Sequence, residues 1–318
     1  MMVIPRQLQP GDTIGLVAPA SPTRSFEEAA RAISFLEEQG FQVKRGSSLE
    51  RQWCYLAGSD EERALELQQL FADPEVKAIL AVRGGYGCAR MVPYLDFEVI
   101  AANPKIIWGY SDLTFLLNLI YQRTGLVTFH GPMLSTDLGK APYQSPTWQS
   151  LQLLQEVKPY EYGEHGEVTD SLWVWVEGKA EGPILGGNLT LLTSTLGTPY
   201  ELDTRGALLF LEEVNEEPYR IDRMLNQLQQ AGKLDACAGF LIGDFQQCEP
   251  ARHNHSFSLE EVLRHYLQPL GKPVMGGLQV GHCEPTGVIP IGLLCQLDTE
   301  NRTLVSKDSP VSKSSPVV

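Results

Sequence analysis

Residues 13–125 alternate short apolar runs with segments of helical periodicity, and this alternation constrains the fold more than any other feature. The predicted strands and helices follow in the order Thr13 to Ala18, Ser25 to Gln39, Phe41 to Lys44, Glu61 to Phe71, Val76 to Val82, Lys105 to Trp108 and Leu113 to Arg123. Short apolar strands separated by helices of ten or more residues are typical of a parallel sheet covered on both faces. We therefore predict a doubly wound α/β domain in this half.

The second half of the chain has longer connections and fewer helices. Strands are predicted at Leu172 to Val176, Ala207 to Leu211, Gly239 to Ile242 and Val288 to Leu297, and helices at Leu189 to Leu196, Pro218 to Gln230 and Leu259 to Leu267. We predict an α/β domain over residues 1–160 and a smaller β-rich α/β domain over residues 161–303. The end of the chain is rich in Ser, Val and Lys, so residues 304–318 are expected to form a flexible tail.

Composition excludes several classes of function. The chain has 25 Lys and Arg against 39 Asp and Glu, a formal net charge of -14, which argues against nucleic-acid or anionic-membrane partners. No apolar run reaches the ~18 residues of a membrane-spanning helix, and no signal peptide is recognisable, so we expect a cytoplasmic protein. The six cysteines, at positions 54, 88, 237, 248, 283 and 295, lack the short spacing of zinc or redox motifs, and neither a metal nor a cofactor is expected.

The most informative motif is Gly-Tyr-Ser-Asp at positions 109–112, which lies between an apolar strand and an apolar helix. Ser111 is thereby placed at a strand-to-helix turn, as in the nucleophile elbow of hydrolases, where amides of the following helix face the oxyanion. The match is incomplete, because Leu113 occupies the position of the second glycine of that motif. A serine that caps the following helix would give the same local sequence. On this segment alone, Ser111 is interpreted either as a nucleophile or as a helix cap.

A second motif, Arg-Gly-Gly-Tyr-Gly at positions 83–87, directly follows another predicted strand. Adjacent glycines let backbone amides approach a ligand, and Arg83 is suited to meet a carboxylate. Neither of the common phosphate-binding glycine patterns is present. The segment is interpreted either as an anion-binding or oxyanion loop or as a plain tight turn.

A run of acidic residues follows the apolar strand that ends at Leu211. Glu212 is the first polar residue there, a position from which a carboxylate can orient an imidazole. Glu213 is expected to point to the opposite side, because side chains alternate along an extended chain. For most of the glutamates in this run, a solvated loop is the simpler interpretation.

His282 is the histidine best placed for catalysis, since it follows a glycine at the end of a strand-like segment. His165, His253, His255 and His265 lie in polar stretches or on a helix and are interpreted as surface residues, while His130 ends a strand. A lone histidine is more often structural than catalytic. Cys283 beside it suggests a thiol nucleophile, but neighbours in an extended chain point in opposite directions, which disfavours a working pair.

Taken together, these segments resemble the serine LD-carboxypeptidase family, which includes murein tetrapeptide carboxypeptidases and microcin C immunity peptidases. The resemblance runs from Pro10-Gly11-Asp12 to about Leu297-Asp298. It rests on the ordered set Val17-Ala18-Pro19-Ala20-Ser21-Pro22, Arg83-Gly84-Gly85-Tyr86-Gly87, Gly109-Tyr110-Ser111-Asp112, Gly186-Gly187-Asn188-Leu189, Tyr219-Arg220-Ile221-Asp222-Arg223 and Gly281-His282. Each motif is weak alone, but the ordered set is specific.

The resemblance implies a Ser-His-Glu triad that is divided between two domains. Ser111 in the first domain would be the nucleophile and His282 in the second the base. The family's usual Glu-Asp pair reads Glu212-Glu213 here, and the orienting carboxylate is assigned to Glu212, although two consecutive glutamates leave the choice open. The resemblance also implies a swivelling-type fold for the second domain.

The resemblance further implies how substrate is held and cleaved. Backbone amides of Gly85 and Asp112 would form the oxyanion hole, and Arg83 and Gly84 are assigned to substrate binding. The expected reaction hydrolyses the bond between an L-residue and a terminal D-alanine in a murein tetrapeptide, through an acyl-enzyme. Family members are commonly homodimers, so a homodimer is expected.

Two other functions remain open on the sequence. Within the family, the alternative is a microcin-immunity peptidase that cleaves an aminoacyl-nucleotide amide. From another class, the chain would be a non-catalytic two-domain protein that closes on a small ligand. A nicotinamide-dependent oxidoreductase is disfavoured, because the dinucleotide fingerprint is absent.

Overall fold

The computed structural model describes residues 2–141, 145–163, 169–251 and 255–314. The strands are β1 Thr13–Val17, β2 Gln42–Arg45, β3 Val76–Ala81, β4 Ile106–Gly109, β5 Thr128–His130, β6 Trp173–Val176, β7 Lys179–Asn188, β8 Leu208–Val214, β9 Gly239–Gln246, β10 Val274–Gly276, β11 Ile289–Ile291, β12 Leu294–Asp298 and β13 Thr303–Ser306. The helices are α1 Phe26–Glu38, α2 Asp60–Ala72, α3 Cys88–Met91, α4 Phe97–Ala102, α5 Thr114–Thr124, α6 Pro146–Gln149, α7 Leu189–Ser194, α8 Pro218–Gln230, α9 Lys233–Ala236 and α10 Leu259–Leu267.

The first sheet has the order β11-β5-β4-β3-β1-β2, in which β1 to β5 are parallel and β11 is antiparallel to β5. Successive side chains of β3 enter different cores: Leu80 packs on one face of the sheet and Ile79 on the other. Trp108 and Ile107 of β4 divide in the same way. Both faces are therefore covered, and the predicted doubly wound α/β domain is confirmed.

The second sheet has the order β13-β12-β7-β8-β9-β10-β6 and is mixed. Strands β7, β8, β9 and β10 run parallel, while β6, β12 and β13 are antiparallel to their neighbours. The carboxyl ends of β7, β8 and β9 lie at one edge of this sheet, where polar residues can converge. The predicted two-domain α/β class, with a β-rich second part, is confirmed.

Helix starts follow local capping chemistry. Ser25 accepts a hydrogen bond from the amide of Glu28 at the start of α1, and capping boxes with Ser59 and Ser258 begin α2 and α10. Gly125 ends α5 in the left-handed conformation. These signals explain why the helices begin and end close to where the sequence predicts them.

One predicted strand is wrong, and one long strand was not predicted. The single strand predicted over Val288 to Leu297 is interrupted at Gly292, whose φ is +89°. As a result β11 joins the first sheet and β12 the second. The ten-residue strand β7 is absent from the predicted set, because its glycines and Pro183 resemble a loop. Gly186 has a φ of +120°, and a Cβ there would lie 2.1 Å from the carbonyl oxygen of Phe210.

The predicted tail is also corrected over its first part. Residues 303–306 form β13, which pairs with β12. Farther on, the amide of Ser312 donates to the carbonyl oxygen of Pro5 at 2.9 Å, and Val311 is buried. Residues 315–318 lie outside the described residues. Leu304 and Ser306 alternate with less buried residues, and the Ser306 hydroxyl accepts a hydrogen bond from the amide of Tyr160 at 2.8 Å.

Helix α5 joins the two sheets. The amide nitrogen of the Asn118 side chain donates to the carbonyl oxygen of Gly186 at 2.8 Å, and its oxygen accepts from the Gly186 amide at 2.9 Å. Thr114 Oγ1 accepts from the amide of Asn188 at 3.0 Å. The helix that follows the Gly-Tyr-Ser-Asp motif is thereby attached to β7 of the other sheet. Among the described residues, no helix is both long and apolar enough to cross a membrane.

Candidate active site

Ser111 lies at a strained turn between β4 and α5. Its φ is +63°, in the left-handed region that non-glycine residues seldom adopt. Such a conformation costs on the order of 1–3 kcal/mol and is concentrated at functional sites. The N-cap residue of α5 is Leu113, and no side-chain cap is present there or at the short turn over Ser111–Leu113. Helix capping therefore does not explain this serine, whereas the elbow interpretation does.

The glycine-rich turn packs directly against this elbow. A Cβ placed on Gly84 would lie 2.9 Å from Ser111 Cβ and 3.0 Å from its Oγ. Gly85 has a φ of +114°, and a Cβ there would lie 2.3 Å from Ser21 Oγ. Only glycine fits at these two positions. The approach brings backbone, rather than side chain, next to the Ser111 hydroxyl.

The Asp112 side chain fastens the elbow to the turn. Its Oδ2 accepts a hydrogen bond from the amide of Cys88 at 2.8 Å, one residue after the glycine-rich segment. The Asp112 side chain is almost wholly buried, and this burial raises its pKa above the ordinary value. The side chain is thus committed to structure, which leaves the Asp112 backbone amide as the group available to an oxyanion.

Glu212 and His282 form a close pair. His282 Nδ1 lies 2.7 Å from Glu212 Oε2, and the Glu212 side chain is completely buried. Burial alone would lower the pKa of His282, but the charge and hydrogen bond of Glu212 outweigh it and raise this pKa above its ordinary value. A Cβ on Gly281 would lie 3.0 Å from Glu212 Cβ and Oε2, so a glycine before the histidine permits the pairing.

Glu213 points the other way and has a structural role. Its Oε1 accepts from Asn188 Nδ2 at 2.8 Å, and its Oε2 accepts from the amide and the hydroxyl of Thr190 at 2.8 and 2.7 Å. These contacts hold the start of α7 against β8. Both glutamates lie inside β8, which extends to Val214 rather than ending at Leu211 as predicted. The alternation along the strand separates their roles.

Aromatic rings place His282 near Ser111. The Tyr110 ring meets the His282 ring edge-on, with centroids 4.9 Å apart, and Tyr110 is the residue before Ser111. The Tyr110 hydroxyl donates to Asp137 Oδ1 at 3.1 Å. The Tyr110 ring also lies near His130, with 5.5 Å between the ring centroids. The turn at Ser111, His282 and its carboxylate partner Glu212 therefore lie close together.

The structure describes two of the four histidines that the sequence analysis interprets as surface residues, and it describes the thiol beside His282. His255 and His265 are exposed, as predicted, while His165 and His253 lie outside the described residues. Burial raises the pKa of Cys283 to about 12, which disfavours the reactive thiolate form. Within the described ranges, all six cysteines are free, and no cluster of three or more His, Cys, Asp or Glu is arranged to hold a metal ion.

A cleft of about 390 Å³ opens beside His282. Tyr110 and Asp137 line it together with two exposed cations, Arg24 and Lys140. Its volume suits a small peptide or similar ligand. These cations had no motif in the sequence to mark them, because they lie in connections between elements.

Arg83 lies close to Arg24 but is not a wall of this cleft. It is only 8% exposed, and its Nη1 donates to the carbonyl oxygen of Pro22 at 3.1 Å. Burial, with a smaller effect of Arg24, lowers the pKa of Arg83. The guanidinium thus supports the backbone of the preceding loop. Arg83 therefore has a structural contact in addition to its predicted role in substrate binding.

Comparison with protein families accounts for most of the chain. The LD-carboxypeptidase N-terminal domain matches residues 14–131, and the LD-carboxypeptidase C-terminal domain matches residues 181–297. The chain belongs to the LD-carboxypeptidase family. The predicted enzyme class, a serine-type LD-carboxypeptidase, is therefore confirmed.

Individual relatives of this LD-carboxypeptidase agree with that assignment. A probable murein peptide carboxypeptidase of Bacillus subtilis is 50% identical over 301 residues, which covers 95% of this chain and 93% of that protein. The crystal structure of a muramoyltetrapeptide carboxypeptidase from Oxalobacter formigenes has a TM-score of 0.80 at 28% identity and covers 92% of this chain and 97% of that one. The microcin C7 self-immunity protein MccF, in complex with aspartyl sulfamoyl adenosine, has a TM-score of 0.88 at 28% identity, covering 98% and 100%.

Proposed function

We propose that this enzyme releases the terminal D-alanine from murein tetrapeptides by hydrolysing the amide bond between an L-residue and D-alanine. The observation that carries the proposal is the 2.7 Å pairing of His282 with buried Glu212 beside the strained Ser111 elbow. The 50% identity to a probable murein peptide carboxypeptidase supports the choice of substrate.

In the proposed mechanism, Ser111 is the nucleophile, His282 the general base and Glu212 the orienting carboxylate. His282 Nε2 takes the Ser111 proton as the oxygen attacks the scissile carbonyl, and the imidazolium then returns a proton to the leaving amine of D-alanine. Water then attacks the acyl-enzyme while His282 takes its proton, and this proton passes to the Ser111 oxygen as the ester bond breaks. Glu212, at Nδ1, fixes the tautomer and stabilises the imidazolium that forms.

The oxyanion is proposed to be held by the backbone amides of Gly85 and Asp112. The close approach of the glycine-rich turn to Ser111 and the commitment of the Asp112 side chain to Cys88 support this assignment. One such donor is typically worth about 3–4 kcal/mol of transition-state stabilisation.

The free carboxylate of D-alanine requires a cationic or amide-lined site. Arg83 and Gly84 remain proposed substrate-binding residues, Gly84 through its backbone next to Ser111 Oγ. We add Arg24, which is exposed, lines the cleft with His282 and is close enough to Arg83 for the two charges to interact. Arg24 thus supplies an exposed positive charge next to the largely buried Arg83 guanidinium.

Turnover of matched peptides tests the proposal. The wild-type enzyme is incubated with a murein tetrapeptide ending in D-alanine and with the same peptide ending in L-alanine, and free alanine is quantified. We expect release from the D-peptide only. Release from neither peptide, in folded protein, would contradict the proposed substrate class.

The similarity to MccF favours one alternative, cleavage of an aminoacyl-nucleotide amide by the same residues. An aminoacyl sulfamoyl adenosine is the matching probe. If this compound is hydrolysed while the tetrapeptide is not, the alternative replaces the murein assignment and the proposed triad is retained.

We further propose that the enzyme acts in the cytoplasm, in peptidoglycan recycling, as a homodimer. The absence of a spanning helix from the described ranges is compatible with the location, and the homodimer is an inference from family resemblance. Light scattering on the purified protein and fractionation of cells test the two statements separately.

A further inference from the structure

Asp244, on β9, is a carboxylate near His282 that the proposed triad does not use. Gly243 and Phe245 line a second cleft, whereas Gln246 lines the cleft beside His282. Asp244 interacts electrostatically with His282 and Cys283, which both line the cleft beside His282. The Asp244 amide donates to the carbonyl oxygen of Val280 at 2.9 Å, two residues before His282.

The pairing of β8 with β9 is irregular at Asp244. Along β8 the pairing advances two residues, from Leu211 to Glu213, while along β9 it advances three, from Ile242 to Phe245. The extra residue forms a β-bulge that contains Asp244 and lies beside the carboxylate partner of His282. Bulges of this kind redirect side chains and are over-represented next to active sites.

The Asp244 carboxylate is incompletely satisfied. Its Oδ2 is buried and has no hydrogen-bond partner among the described residues. Burial raises the pKa of Asp244, and the facing His282 lowers it. Cys283 and Cys248 are the other titratable groups that interact with this carboxylate. A buried carboxylate oxygen without a donor is unfavourable, and a bound cation would remove the penalty.

The cleft is therefore bipolar. Arg24 and Lys140 line it with positive charge, and Asp137 and Glu284 line it with negative charge. Asp244 adds negative charge through its interaction with the lining residues His282 and Cys283. A substrate with a carboxylate on its leaving residue and an ammonium on the residue before the scissile bond matches that arrangement in one orientation only. Opposite charges on two walls thus select the direction in which the peptide enters.

We propose that Asp244 determines specificity by binding the side-chain ammonium of the diamino acid on the acyl side of the scissile bond. This inference rests on the proposed function and adds to it the group that the enzyme recognises. It assigns no part in proton transfer to Asp244, whose role is to bind substrate.

Two peptides that differ only in charge test this assignment. They are a murein tetrapeptide with L-lysine before D-alanine and the same peptide with Nε-acetyl-lysine. For Asp244→Asn we expect a loss of about 10- to 100-fold in kcat/KM on the lysine peptide, mostly in KM. On the acetylated peptide the expected change is less than about threefold, because no charge pair is lost there.

Glu249→Gln is the matched control, since Glu249 is exposed and lines the second cleft, with Gly243 and Phe245. It removes the same charge and is expected to leave both reactions unchanged. If Asp244→Asn does not fold, Asp244→Ser provides the same comparison. Calorimetry on Ser111→Ala, with and without Asp244→Asn, measures the affinity for both peptides. The ratio of the two affinities gives the preference for the free amine in the absence of turnover.

The outcomes separate the inference from the proposed function. Equal losses on the two peptides would mean that Asp244 acts through His282, and this overturns the inference alone. A wild-type enzyme that releases D-alanine from neither peptide overturns the proposed function itself. Loss of the preference for the free amine in Asp244→Asn, with the acetylated peptide still cleaved, supports both.

Discussion

At the scale of the residue, two adjacent carboxylates on β8 have separate tasks. Glu212 contacts His282, whereas Glu213 accepts three hydrogen bonds from Asn188 and Thr190 at the start of α7. The strand turns consecutive side chains to opposite faces, so one glutamate is paired with His282 and the other holds the start of α7.

Glu212→Gln is expected to reduce kcat roughly 10³- to 10⁴-fold, because the imidazole loses its orienting carboxylate. It should also shift the acidic limb of the kcat/KM profile to lower pH. The base works when neutral, Glu212 raises the pKa of His282, and without that charge burial lowers it. Rates measured from pH 5 to 9 check both effects.

Glu213→Gln is the matched control for this experiment. It removes a charge one residue away and is expected to affect mainly the melting temperature, through the contacts at α7. A larger loss of kcat in Glu213→Gln than in Glu212→Gln would reverse the assignment of the two residues.

A second prediction at this scale concerns His130 and the pH dependence of folding stability. Its ring is buried, neither ring nitrogen has a hydrogen-bond partner within the described residues, and burial lowers its pKa to about 3. The unfolded chain binds a proton below about pH 6.5 while the folded chain does not, so folding stability falls as pH falls. This contributes a slope of about 1.4 kcal/mol per pH unit between about pH 6 and 4.

His130→Leu is expected to remove that contribution, which urea unfolding at several pH values measures. The comparison uses the slope of the unfolding free energy with pH, so a general destabilisation by the substitution does not affect it. Parallel slopes in the wild type and the variant would mean that His130 is protonated in the folded protein.

At the scale of the element, the turn after β3 and the elbow after β4 act as one unit. Gly84 lies against Ser111, and the Asp112 side chain holds the amide of Cys88 at 2.8 Å. Two parallel neighbouring strands thus deliver their C-terminal turns to the same point, which is where open α/β sheets place their ligands.

Gly84→Ala tests this unit. Its Cβ would lie 2.9 Å from Ser111 Cβ, so the serine or the turn must move, and a displacement of about 1 Å can cost on the order of 100-fold in rate. We expect such a loss in kcat with a destabilisation of about 1–3 kcal/mol. Gly197→Ala, whose Cβ meets nothing within 4 Å, should leave turnover unchanged. Wild-type kcat in Gly84→Ala would contradict the packing argument.

Elements with a strong local signal could be predicted from the sequence. Helices α8 and α10 have the predicted bounds, Pro218 to Gln230 and Leu259 to Leu267, because caps and amphipathic periodicity act within a few residues. Strand β7 could not be predicted, since its glycines are required by a neighbouring strand rather than by local geometry. Strand β13 was missed for a similar reason: its partners, β12 and the segment at Glu161, are decided by tertiary packing.

At the scale of the whole molecule, the proposed triad depends on how two sheets meet. Ser111 follows a strand of the first sheet, and Glu212 lies in a strand of the second. Asn118 of α5 makes two hydrogen bonds with Gly186 of β7, which fixes the nucleophile's helix to the sheet of its partners.

Asn118→Leu removes both bonds with little change in volume and leaves the buried Gly186 amide and carbonyl unsatisfied. We expect a loss of about 2–4 kcal/mol in the free energy of unfolding, measured in urea, together with a reduced kcat. Asn226→Leu, on the exposed face of α8, should cost less than about 0.5 kcal/mol. An Asn118→Leu protein with unchanged stability would show that these bonds do not join the domains.

The same scale explains which parts of the site could be predicted. Each motif is recognisable from its local sequence, and the family that the motifs resemble pairs Ser111 with His282. The Glu212 contact, the positions of Arg24 and Asp137 in the cleft, and the β-bulge at Asp244 depend on packing between distant segments. No local pattern encodes such distances.

Release of D-alanine by Ser111→Ala is the most direct test of the central claim, that this elbow serine is the nucleophile of an LD-carboxypeptidase. Wild type and variant are compared on the murein tetrapeptide, with melting curves to verify folding and Ser194→Ala, on exposed α7 surface, as control. The account predicts at least a roughly 10⁴-fold loss of kcat in folded Ser111→Ala, with the control at wild-type rate. Turnover by Ser111→Ala within tenfold of wild type would contradict it.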